Sequence, residues 1–142
     1  MKPQRFVYLD TSAYLAVLLG EKSGREIKNL IEKKPLCSSV FLFLEAERNL
    51  IRLSREKYLS SDDFSKCLVR IREDVNIFAV RELDLEVCQL SSFPAVKTPR
   101  SADLVHLRTA VWFKDRDMLD GFLTLDKDQK HSAREMSLPI LE

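Results

Sequence analysis

Residues 6–9, Phe-Val-Tyr-Leu, form a short run that is apolar throughout and stops at Asp10. A run of this length, rich in aromatic and branched side chains, predicts a strand covered on both faces. Residues 11–19 then have helical composition, with Asp10 or Thr11 placed to cap the first turn and Gly20 to end it. Ile27, Leu30 and Ile31 recur at helical spacing after Ser23-Gly24, and Lys33-Lys34-Pro35 breaks that second helix. Leu36-Cys37 reads as a second short strand.

A longer helix is expected from Ser39 to about Arg55, its first half apolar on all sides from Val40 to Leu44. That stretch calls for burial inside the domain or against another chain. Ser60 with Asp63 three residues on resembles a capping box ahead of a helix carrying Phe64, Cys67, Leu68 and Ile71 on one face. Residues 77–80 suit a third strand and 84–90 a short helix before the Ser91-Ser92-Phe93-Pro94 break. Thr98 as cap and Pro99 in the first helical position predict a helix through Leu104, Leu107, Ala110 and Val111. A fourth strand over 121–125 ending at Asp126, a polar helix over 127–135 and a last strand over 138–141 complete the pattern.

Strands separated by helical stretches too long for hairpins imply parallel pairing through crossovers. The expected fold is therefore α/β: three layers, α/β/α, around a central, mainly parallel sheet of four to five strands. One domain spanning 1–142 accommodates all of it. Ligands in such sheets sit beyond the carboxyl ends of the strands, which is where Asp10 and Asp126 fall.

Composition narrows the class of partner. The chain is 45% hydrophobic and 32% charged with only 3 Gly and 5 Pro, as in a globular protein and unlike a linker-rich or collagen-like one. Lys plus Arg at 23 against Asp plus Glu at 22 leaves a net charge of +1, so any polyanion must be held by local asymmetry. Cys37, Cys67 and Cys88 form no CxxC pair and number three, which suggests neither a disulfide framework nor a zinc site. No apolar stretch has the ~20 residues of a membrane span, and Asp10-Thr11-Ser12 cuts short any secretory signal. A cytoplasmic protein with no membrane partner is expected.

Four acids stand out: Asp10 and Asp126 at strand ends, Asp103 near the start of a helix entering from the same rim, and Glu45 among Phe41, Phe43 and Leu44. Two full charges ~4 Å apart repel by about 4 kcal/mol at an effective dielectric near 20, so a converging set needs protons or a cation. Oxygen ligands alone select Mg²⁺ or Mn²⁺ over zinc. Structural explanations stand beside this one. Asp10 and Asp126 are good N-caps, and Asp103 complements a helix dipole. Only Glu45 resists such a reading, because an unpaired carboxylate among apolar side chains is costly.

Tyr8-Leu9-Asp10-Thr11-Ser12-Ala13, the segment from Ser38-Ser39 to Glu45-Ala46-Glu47-Arg48, Ala102-Asp103-Leu104-Val105-His106-Leu107 with Ala110, and Leu123-Thr124-Leu125-Asp126 together resemble the PIN-domain nucleases, in this order. Size and spacing are most similar to the single-domain VapC-type toxins, and the resemblance covers nearly the whole chain. It implies that Asp10, Glu45, Asp103 and Asp126 are metal-binding, catalytic acids, with Thr11, Ser12 and Thr124 lining the site and Asp128 supplementing Asp126. Glu45 rather than Glu47 holds the family position counted from Ser38-Ser39. Met136-Ser137 stands where the family commonly has Gly, a departure that touches a turn and none of the acids.

The resemblance further implies Mg²⁺-dependent endonucleolytic cleavage of RNA, with Mn²⁺ as substitute, leaving a 5′-phosphate and a 3′-hydroxyl. It implies a homodimer and a cognate antitoxin as well. Arg48, Arg100 and Lys127 are the candidate RNA contacts, because phosphate neutralisation supplies most sequence-independent affinity. Arg52, Arg55 and Lys57 read as a solvated face, Tyr14 and Trp112 as core, His106 as structural and His131 as solvated. Two other readings remain: a PIN-type nuclease of RNA processing or repair without an antitoxin, and a PIN-like binding module without chemistry. An antitoxin-like reading frame beside the gene separates the first, and Mg²⁺-dependent cleavage of labelled RNA the second.

Overall fold

The computed structural model describes residues 2–89 and 94–142. Its centre is a four-stranded, all-parallel sheet in the order β3-β2-β1-β4, formed by β1 (Phe6–Leu9), β2 (Leu36–Ser39), β3 (Ala79–Arg81) and β4 (Leu119–Leu123). Seven helices occur among the described residues, and they lie on both faces of the sheet: α1 (Thr11–Leu18), α2 (Lys22–Ile31), α3 (Phe41–Arg55), α4 (Ser61–Ile77), α5 (Leu85–Gln89), α6 (Ser101–Asp115) and α7 (Lys127–Glu135). The three-layer α/β/α architecture expected from the chain is what forms.

Alternation along β1 builds two cores. Val7 and Leu9 point into one with Ala13, Tyr14, Ile27, Leu42, Leu50 and Ile71, beneath α1 to α4. Tyr8 points into the other with Leu107, Ala110, Phe113, Phe122 and Ala133, beneath α6 and α7. Because both faces are covered, β1 tolerates no polar position, which is why it reads as an unbroken apolar run. Tyr8 stacks on its register partner Phe122 at 5.4 Å between ring centroids.

Local signals place the helices. Gly20 adopts φ +70° one residue beyond the cap of α1, where Gly20 N–H donates to the Val17 carbonyl and Glu21 N–H to the Ala16 carbonyl, a Schellman ending. Gly24 lets α2 approach α1 closely, since a Cβ there would lie 2.0 Å from the Ala16 carbonyl oxygen. The Ser60 hydroxyl caps α4 by accepting from Asp63 N–H at 3.1 Å.

Several expected boundaries move. The fourth strand is 119–123 rather than 121–125, because Leu119 already pairs with Phe6 and Thr124 leaves the ladder to bond Asp10. Helix α4 runs through Ile77, so the third strand starts at Ala79. Thr98 and Pro99 do not open α6: the cap is Arg100, extended at φ −141° and ψ 152°, and the preceding Lys97 carbonyl is held by the Ser132 hydroxyl. The last strand expected over 138–141 is a single parallel bridge between Phe122 and Ile140. Pro139 on that segment has no N–H to extend a ladder. The Ser91-Ser92-Phe93 part of the expected break lies outside the described residues.

Val40 to Leu44 divides between inside and outside. Leu42 and Phe43 are buried, whereas Val40 and Leu44 are 42% and 63% exposed. On α4, Ile71 is buried, and Phe64, Cys67 and Leu68 pack against the same core.

Candidate active site

Beyond the carboxyl end of β1 the chain turns straight into α1, and Asp10 occupies the turn. Its Oδ1 accepts from Ala13 N–H at 3.0 Å and from the Ser12 hydroxyl at 2.7 Å, while Oδ2 accepts from the Thr124 hydroxyl. Asp10 is thus the N-cap of α1, as its structural reading held, yet it also lines a cleft of about 180 Å³. Burial pushes its carboxyl above the ordinary value, opposed by the His106 charge and by the hydrogen bonds from Thr124, Ser12 and Ala13.

The same cleft is lined by Glu45 from α3, Asp103 from α6 and Asp126 ahead of α7. Four carboxylates from four separate segments therefore share one depression. Asp126 caps α7, accepting from Asp128 N–H at 2.9 Å and Gln129 N–H at 3.2 Å. It stands three residues beyond β4, after Thr124 has crossed toward Asp10. Thr11, Ser12, Leu15, Asn49, Arg100 and His106 complete the wall, and Thr124 sits buried behind Asp10.

Glu45 shows how a half-buried carboxylate is kept ionised. Burial alone raises its pKa, but hydrogen bonds from His106 and Thr11, with the charges of His106 and Arg100, carry it below the ordinary value. His106 Nε2 lies 2.8 Å and the Thr11 hydroxyl 2.6 Å from Glu45 Oε1. On the other side, His106 Nδ1 lies 2.7 Å from the Tyr8 hydroxyl. Burial pushes the Tyr8 phenol well up, so Tyr8 keeps its proton while its hydroxyl bonds Nδ1. An ionised carboxylate only accepts, so Nε2–H donates to Glu45. His106, read from the chain as structural, is structural in this specific sense: it ties β1, through Tyr8, to the carboxylate of α3. A buried His one helical turn after Asp103 was the available signal, and its partners are distant in sequence.

Asp103 differs from the other three. It sits in the first turn of α6, and its Oδ2 is buried with no hydrogen-bond partner, the nearest cation being Arg100 Nε at 3.7 Å. A buried carboxylate oxygen without a hydrogen bond is expensive, and here it belongs to a residue lining the acidic cleft. The donor set is all oxygen, the kind that suits a hard divalent cation. It is not drawn together into a coordination shell: among the described residues no group of three or more His, Cys, Asp or Glu stands close enough to hold a metal ion. Each of Asp10, Glu45 and Asp126 is instead turned onto donors of its own chain.

Other expected residues lie further out. Asp128 is exposed, 4.0 Å from Lys97 Nζ, and outside the cleft lining, as is exposed Lys127. Arg48 is exposed and lines an adjoining groove with Glu45, Asn49 and Arg100. Tyr14 is buried and donates its hydroxyl to Asp74 at 2.7 Å. The Arg81 and Arg116 guanidinium groups lie over the Trp112 ring, 4.6 and 4.0 Å from its centroid. Both aromatics are therefore committed within the fold. No helix among the described residues is long and apolar enough to cross a membrane.

No protein-family model matches the chain, and no curated protein matches it either.

Proposed function

We propose that this chain is a Mg²⁺-dependent endoribonuclease of the PIN type, acting as the toxin of a toxin–antitoxin pair. The observation that carries the proposal is the shared cleft of Asp10, Glu45, Asp103 and Asp126, with the buried Asp103 Oδ2 left without a hydrogen bond inside it. Those four residues are the ones that would hold Mg²⁺ or Mn²⁺. When bound, such an ion neutralises the charge that develops on a phosphodiester during in-line attack and makes water a better nucleophile.

The chain's own residues supply the rest. Ser12 and Thr124 fix the orientation of Asp10, and His106 with Thr11 fixes Glu45 in its ionised state. Arg100, largely exposed at the mouth, is placed to take a phosphate and to balance Asp103 before substrate arrives. Exposed Val40 and Leu44 support a further chain against α3, whether a second copy or an antitoxin.

One observation favours a second reading. Asp10, Glu45 and Asp126 are already satisfied by donors of the chain itself, as they would be in a binding module without chemistry. Incubating the purified protein with labelled total RNA separates the two. The nuclease predicts cleavage with Mg²⁺, none in chelator, and none from Asp10→Asn. Intact RNA under all three conditions overturns it.

A further inference from the structure

The cleft does not end at the acids. Glu45, Asn49 and Arg100 line both it and a neighbouring groove, and Arg48 lines that groove together with a third depression formed by Ile51, Arg52, Arg55 and Glu56. Glu45, Arg48, Arg52 and Arg55 follow one another at three- and four-residue spacing, so they share one flank of α3. The flank is acidic at the cleft and basic away from it. Over ten residues at 1.5 Å rise, it extends ~15 Å.

The cations on this flank differ in how far they are committed. Arg52 pairs with Glu56 at 3.1 Å across exposed helix surface, an ion pair of a kind that contributes little. Among the described residues, Arg48 and Arg55 have no ion-pair or hydrogen-bond partner. Ile51, 43% exposed, lines the third depression with these arginines and offers apolar surface beside the charges. A chain with net charge +1 gains no attraction for polyanions from its overall field, so a local cationic line leading to the acids matters more.

We propose that this flank of α3 is the track along which single-stranded RNA leaves the acidic cleft, with Arg48, Arg52 and Arg55 meeting successive phosphates. The inference rests on reading that cleft as the site of RNA cleavage. Single-strandedness follows from shape. Asp10 is only 5% exposed at the floor of a space of about 180 Å³. A backbone reaches such a floor only if it is free to splay from its partner strand. An apolar side chain beside the cations, Ile51, then suits an unstacked base.

The test is fluorescence anisotropy of a short labelled single-stranded RNA on the Asp103→Asn protein in chelator, so that binding is read without cleavage. Arg52→Ala/Arg55→Ala in that background should weaken binding about tenfold. It should also flatten the slope of log affinity on log salt by roughly 1.4, two phosphates at ~0.7 each. Arg52→Lys/Arg55→Lys should retain most of the affinity, and Lys114→Ala, which removes a charge from α6, should change nothing. A duplex of the same sequence should bind more weakly. Equal affinity and slope in the double alanine variant with matched melting curves, equal binding of the duplex, or no binding of the single strand at low salt each overturn the track. Failure of Mg²⁺-dependent cleavage by the wild type is a separate result that strikes the nuclease reading, since the binding arm needs neither metal nor turnover.

Discussion

At the scale of single residues, Asp10 and Glu45 are carboxylates in one cleft with opposite thermodynamics. Asp10 holds its proton more tightly in the fold than in the unfolded chain, so its contribution to stability is present at low pH and lost as pH rises through the raised value. Glu45 is the reverse: its contribution is present above the ordinary carboxylate range and lost as pH falls through its lowered value. Asn caps a helix about as well as Asp, so in chelator at neutral pH Asp10→Asn should melt at or above the wild-type temperature. Glu45→Gln should lose about 1 kcal/mol, because a charge-assisted bond to His106 becomes a neutral one. A sharp fall for Asp10→Asn would show that its charge serves the fold rather than a ligand. His106→Gln should lower kcat about 10–100-fold with little change in KM, since His106, 2% exposed in the wall of the cleft, acts by positioning Glu45. Thiol chemistry offers a further check. Burial pushes the Cys37 thiol far up, whereas Cys88 is exposed. A disulfide reagent should label Cys88 first and Cys37 only on unfolding.

At the scale of elements, the strand β1, the end of α1 and the start of α4 were legible because their causes are local: an apolar run, a glycine at positive φ, a serine cap. Gly24 was not. Its role depends on the Ala16 carbonyl of a neighbouring helix, which no spacing within α2 reveals. Gly24→Ala should cost about 1–3 kcal/mol through overpacking, measurable by urea denaturation, despite the better helix propensity of alanine. A stabilised variant would show that α1 and α2 separate at little cost. The shifted start of β4 and the reduction of 138–141 to one bridge have the same origin. Pairing with Phe6 and Phe122 decides where those strands begin and end, and apolar pattern alone is silent on it.

At the scale of the whole molecule, the parallel α/β/α sheet was readable from the alternation of short apolar runs with helical stretches. The gathering of Asp10, Glu45, Asp103 and Asp126 at one cleft was expected from their positions at strand and helix ends. What the chain did not disclose is how those acids are occupied when alone. Hydrogen bonds from Ser12, Thr124, Thr11 and His106 satisfy two of them, Asp126 caps α7, and Asp103 keeps one buried oxygen without a hydrogen bond. A cation that binds only the folded state must raise its stability, by about 2.7 kcal/mol at a hundredfold excess over Kd. The most direct measurement is therefore the melting temperature of wild type and Asp103→Asn, titrated with Mg²⁺ or Mn²⁺ after removal of metals. The four-carboxylate account predicts a saturable rise of several degrees in the wild type and little or none in Asp103→Asn. No rise in the wild type at millimolar metal, together with RNA cleavage that persists in chelator, would contradict it.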